Sequence, residues 1–187
     1  MSTLEVNTIK PITGSSTVTL GESGDTIALA SGASQTLATM KPVFYGTKNG
    51  NQNISRATWT KVTTFTTNEI DTNTAFDGTT FTVPSGEGGK YLLFYKQFCD
   101  YPTNAGGDGE YSIAGIYVNG SQLNDGRAMS QFTSGVYSQD TIVAQMFANL
   151  SAGDTVEAYA YLKDANGGSA TVGESFSCFG GYKIIGA

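Results

Sequence analysis

Residues 91–95, Tyr-Leu-Leu-Phe-Tyr, are aromatic or aliphatic at every position. A strand with one face in water alternates apolar and polar side chains, because successive side chains point to opposite faces. An unbroken apolar run therefore reads as a strand covered on both faces. It ends a longer stretch, residues 71–95, that reads as strand, turn, strand. Thr80-Phe81-Thr82-Val83 alternates, as in a strand with one buried face, and Pro84 lacks the N–H needed to continue it. Ser85-Gly86-Glu87-Gly88-Gly89 then supplies an irregular turn. Covering both faces of residues 91–95 takes a second layer or a partner chain.

The surrounding composition disfavours helices. Only 14% of the 187 residues are charged, and 24 are glycine. Thr and Gly in place of Lys, Glu and Leu favour strands joined by tight turns. From Phe44 to Tyr182 short strands recur, around residues 43–47, 58–66, 80–83, 90–99, 111–118, 128–133, 141–149, 155–162 and 175–185. Turn-forming pieces separate them, including Asp77-Gly78, Asn119-Gly120 and Asn124-Asp125-Gly126. Asn119-Gly120 is the strongest hairpin signal, because both residues tolerate the positive φ of a two-residue turn. So many strands in one domain's length predict an all-β sandwich or jelly roll over residues 42–187.

Residues 1–40 differ: they hold no aromatic residue, and two short alternating pieces, Thr17-Val18-Thr19-Leu20 and Thr26-Ile27-Ala28-Leu29, repeat there. One such strand buries only two side chains, too few to support a fold alone. Either the segment is disordered, or several copies wind about a common axis where Val18, Leu20, Ile27 and Leu29 of each chain meet. The regular alternation favours the winding, as an attachment or stalk segment.

The chemistry of the chain is sparse. It has no histidine, which excludes Ser-His and Cys-His catalysis and His-ligated zinc. No paired-carboxylate spacing, phosphate loop or nucleophile motif stands out, so the chain reads as non-enzymatic, with no cofactor and no metal. A net charge of −6, with Lys and Arg scattered singly, argues against a nucleic-acid partner. No apolar run is long enough to span a membrane, and residues 1–30 lack the pattern of a signal peptide. Asp71, Asn73 and Asp77-Gly78 look like part of a calcium loop, but its twelfth position is Thr82 where a Glu is needed; side chains capping turn backbone explain them better. Asp100, Tyr101, Asp108 and Tyr111 flank a glycine-rich loop, and carboxylates beside flat rings suit a sugar or a cation, although such loops are often merely solvated. Cys99 and Cys178 are read as a pair or as two small buried thiols.

Ala75-Phe76-Asp77-Gly78, Phe81-Thr82-Val83-Pro84, Gly89 and Tyr91 resemble, in order, a run found in the C1q/tumour-necrosis-factor superfamily of jelly rolls. Tyr117-Val118-Asn119-Gly120 is similar to its central hairpin, Leu150 to Val156 to its Leu-x-x-Gly-Asp-x-Val turn, and Phe176 to Ile185 to its closing strand. The turn at residues 85–89 is longer than usual there, and no Gly-X-Y stalk precedes the domain. Residues 1–40 instead resemble the threefold-wound β-segments of bacteriophage fibre and tail proteins. The superfamily resemblance implies a homotrimer, one sheet of each jelly roll lining the threefold axis. Tyr91, Leu93 and Tyr95 would then face the core, and Leu92, Phe94 and Lys96 the axis, with Phe179 beside them. The alternative is that a loop of the same chain covers Leu92 and Phe94.

Together these resemblances imply a bacteriophage virion protein of fibre or adhesin type. Residues 1–40 would dock on other virion proteins of capsid or tail, and the head would meet a host surface glycan or protein. A structural decoration protein with no host ligand, and a secreted bacterial C1q-like lectin, are the alternatives.

Overall fold

The computed structural model describes residues 40–67, 69–100, 110–132, 139–163, 170–174 and 176–184. Val18, Leu20, Ile27, Leu29, Tyr101 and Asp108 lie outside them. The described residues contain no helix. They form strands β1 (Val43–Thr47), β2 (Gln52–Ile54), β3 (Thr60–Lys61), β4 (Ile70–Asp71), β5 (Thr80–Thr82), β6 (Gly89–Asp100), β7 (Glu110–Val118), β8 (Ser121–Phe132), β9 (Gln139–Leu150), β10 (Thr155–Lys163), β11 (Ala170–Val172) and β12 (Cys178–Lys183). All named pairs are antiparallel.

Two sheets result. In the first, β9 runs along the whole of β6, and β11 and β12 share the opposite edge of β6. From there β12 pairs with β1 and β1 with β4, while β11 pairs with β2. In the second, β10 lies between β7 and the short strands β3 and β5, and β8 flanks β7.

β6 explains the apolar run. Tyr91, Leu93, Tyr95, Gln97 and Cys99 point inward and are buried, while Leu92, Phe94, Lys96 and Phe98 point outward and are half-buried. The inner face of the first sheet carries large rings, and that of the second carries Ala114, Ala158 and Ala160 beside Ile116, Val156 and Leu162. Large side chains opposite small ones let the layers interdigitate at interior density. Phe44 stacks on Phe81 at 4.1 Å between ring centres, and Phe179 meets Phe44, Phe76 and Tyr95 edge-on at 5.2, 5.8 and 6.4 Å.

The turns follow their chemistry. Asn119 and Gly120 both have positive φ, 51° and 72°, and join β7 to β8 by a tight hairpin. The turn before β6 is held by the Tyr91 hydroxyl, which donates to the Glu87 carbonyl at 2.6 Å. Burial, then the Glu87 carboxylate, push that phenol's pKa up to about 12.

Three sequence expectations need correction. Residues 58–66 form a strand only at Thr60–Lys61. Asn124-Asp125-Gly126 is no turn but the interior of β8. Phe179 does not lie toward an axis: it is 0% exposed, because in register with the inward Tyr95 it must share Tyr95's face.

Candidate functional site

The outward face of the first sheet is built by register. Val43, Tyr182, Leu92 and Phe147 form one row across β1, β12, β6 and β9. Tyr45, Gly180, Phe94 and Gln145 form the next, and Thr47, Cys178, Lys96 and Val143 the third. Phe147 is 73% exposed and Val143 50%. Phe176, 60% exposed, lies against the Phe98 ring at 5.1 Å. Gly180 makes room in the middle row: a Cβ there would come within 2.7 Å of the Phe94 ring. Tyr45 and Phe94 thereby approach to 6.2 Å between ring centres across the intervening strand. At the β9 edge, a groove of about 560 Å3 is lined by Val118, Leu123, Met146 and Phe147 among others.

A scatter of single exposed apolar residues is ordinary, but a contiguous apolar face marks an interaction surface. Leu92, Phe94 and Lys96 all sit on this face. Sequence reasoning missed Tyr45, Val143, Phe147 and Phe176. The signal for two of them was the alternation Val143, Gln145, Phe147 within a strand that was recognised as a strand.

The other candidates resolve differently. Asp71 accepts backbone hydrogen bonds from Ala75 (3.0 Å) and Phe76 (2.9 Å), and Asp77 from Thr79 (2.8 Å) and Thr80 (2.7 Å). Both carboxylates are occupied in capping turns, as the incomplete calcium pattern suggested. Asp100 ends β6 in the first sheet, whereas Tyr111 lies in β7 of the second. Tyr111 stacks on Tyr161 at 5.9 Å, with the Lys163 ammonium 5.6 Å from its ring centre. Cys99 and Cys178 are both buried and form no disulfide, and the Gln97 amide donates to the Cys99 sulfur at 3.0 Å. Cys99 points inward and Cys178, opposite Lys96, points outward, so the sheet itself separates them. Lys48 is buried too, and its ammonium donates to the Gly50 carbonyl (2.8 Å) and the Thr64 hydroxyl (2.6 Å). Desolvation lowers its pKa, against the nearby Glu174 carboxylate, which raises it. No cluster of three or more metal-ligating side chains occurs among the described residues.

No protein-family model matches the chain, and no curated protein matches it. Solved structures do. The globular domain of zebrafish complement 1qA protein superposes with a TM-score of 0.52 at 15% identity, over 78% of this chain and 98% of that one. Eiger TNF from S. frugiperda superposes with a TM-score of 0.53 at 13% identity, over 78% of this chain and 93% of that one. Identities this low speak to architecture alone. The fold is thus a jelly roll similar to those of C1q and tumour necrosis factor.

Proposed function

We propose that the protein is a non-enzymatic, homotrimeric surface protein of a bacteriophage virion. Residues 1–40 dock it on the particle, and residues 42–187 display a C1q-like head for attachment to the host surface. The apolar outward face of the first sheet is the observation that carries the assembly. Phe147, Val143, Leu92, Phe94 and Tyr45 form one surface there, with Lys96 as the charge within it. A specific interface removes roughly 800 Å² per partner from water. Threefold symmetry follows from the resemblance to the C1q/tumour-necrosis-factor superfamily. The virion assignment rests on the likeness of residues 1–40 to phage fibre segments. Three heads on one mount raise the avidity for weak, repeated surface ligands.

Light scattering of the full chain and of Phe94→Asp tests the assembly. The wild-type chain should run at three chain masses. An aspartate in the middle row would place a carboxylate in an apolar contact with no partner, which is strongly unfavourable. The variant should run as a monomer with unchanged circular dichroism, because Phe94 points away from the core. A monomeric wild-type chain would sink the trimer and the avidity that depends on it.

A further inference from the structure

The second sheet carries a different surface. On its outward face β10 presents Glu157, Tyr159, Tyr161 and Lys163, and β7 presents Tyr111, Ile113, Gly115 and Tyr117. Trp59 lies down on this face because Gly115 has no side chain: a Cβ there would come within 2.9 Å of the indole. Five rings join in a chain. Tyr111 stacks on Tyr161 at 5.9 Å, Tyr161 meets Trp59 at 5.3 Å, Trp59 meets Tyr117 at 5.8 Å, and Tyr117 stacks on Tyr159 at 3.8 Å. Met129, 61% exposed, borders them opposite Ile113. Tyr117 lies six residue steps along the strand from Tyr111, a run of roughly 20 Å.

The charge on this face opposes that of the chain. The chain carries a net −6, yet positive groups surround the rings. The Lys163 ammonium sits 5.6 Å from the Tyr111 ring centre. Arg127 stands close enough to act on the Tyr117 hydroxyl, and Arg56 on that of Tyr161. Lys61 lies beside Tyr159 and is paired with Glu157 at 2.5 Å, so the carboxylate on this face is already compensated.

We propose that this face, the half-buried rings of Trp59, Tyr111, Tyr159 and Tyr161 supported by the buried Tyr117, binds a strand of acidic polysaccharide. Flat rings suit the C–H faces of sugar rings, which approach a π face edge-on to its negative quadrupole. Tyrosine hydroxyls match sugar hydroxyls, and Arg127 and Lys163 match carboxylates placed at intervals along the polymer. Single-stranded nucleic acid also stacks on rings. It carries a charge at every residue, however, and meets an acidic protein with few cations to neutralise it. The platform gives a site and a ligand class to the host-surface binding proposed above and rests on that reading. Assembly through the first sheet leaves the second sheet outward.

The sole tryptophan of the chain lies in the platform, so its fluorescence reports occupancy directly. Titrating the full chain with hyaluronan and unsulfated chondroitin oligosaccharides, which carry a carboxylate on every second sugar, should give a saturable change that weakens with added salt. Neutral dextran oligosaccharides should give far less. By calorimetry, Tyr161→Leu and Arg127→Gln/Lys163→Gln should each weaken acidic-sugar binding roughly tenfold with the oligomer mass unchanged. No response to either acidic sugar, an equal response to dextran, or variants that bind like wild type would overturn the proposal. A tighter response to oligothymidylate would overturn it in favour of nucleic acid. If the protein attaches to host cells and Tyr161→Leu attaches equally well, the platform falls while the attachment reading stands. A chain that attaches to no cell and yet binds hyaluronan through these residues separates the two in the other direction.

Discussion

At the scale of single residues, Asp154 and Asn119 tie two turns together at one end of the sandwich. Asp154 accepts from the Asn119 side-chain amide at 2.8 Å and from the Ser151 backbone at 2.7 Å, and Asn119 in turn accepts from the Thr155 backbone at 2.9 Å. These hydrogen bonds, first the Asn119 amide and then the Ser151 N–H, hold the Asp154 pKa below its ordinary value. A carboxylate with a depressed folded-state pKa favours folding above its unfolded value of about 3.9. That contribution is lost as pH falls through the lower folded value. Asp154→Asn should therefore lower stability at neutral pH and flatten its dependence on pH below about 4. Urea unfolding of both proteins across acid pH checks this; parallel curves would remove Asp154 from the acid response. The Leu150 to Val156 motif drew attention to this turn, but nothing in the sequence showed that its aspartate reaches Asn119. Phe179 was misplaced for a related reason. With Gly180 and Gly181 after it, no apolar alternation fixes its face, and one residue of register exchanges core for surface.

At the scale of elements, strands with a pattern of their own were legible and those without one were not. β6 was read from its unbroken apolar run and even the three-residue β5 from its alternation, whereas β2, β4 and β11 span two or three residues and exist through their partners. β8 was misread because Asn124-Asp125-Gly126 has turn composition. Here the glycine serves packing instead. A Cβ at Gly126 would lie 2.7 Å from the Met146 sulfur and 3.2 Å from both the Ile116 Cβ and its carbonyl oxygen. β8 crosses against β9 and β7 at that point, and only a bare backbone fits. The methionine is flexible and can retreat, but the Ile116 carbonyl cannot. Gly126→Ala should thus cost about 1–3 kcal/mol, as overpacking does. Shortening the opposing side chain in Gly126→Ala/Met146→Ala should return less than it removes, since the backbone contact remains. Chemical denaturation of the wild-type chain and the two variants decides this: a stabilising Gly126→Ala would mean that the strand, not the contact, sets the cost.

At the scale of the whole molecule, the doubly apolar strand is where sequence and assembly meet. Its inner residues belong to the core of one chain, and Leu92 and Phe94 keep part of their surface open on the outward face. The run was legible because both faces are apolar. The rest of that face was not, because Tyr45, Val143 and Phe147 come from distant segments that only the register of β1, β12, β6 and β9 brings side by side. A surface already complete in residues 42–187 does not need residues 1–40 to exist. On the proposed trimer, a chain lacking residues 1–40 should therefore keep three chain masses in light scattering, and the N-terminal segment then acts as a docking device. The opposite result, a trimeric full chain and a monomeric truncated one, would move the driving force to Val18, Leu20, Ile27 and Leu29 wound about the axis. A charge on the sheet face separates the two contributions further. If sheet contacts dominate, Phe147→Glu should dissociate the full and the truncated chain alike. If winding dominates, the full chain should remain trimeric despite that charge.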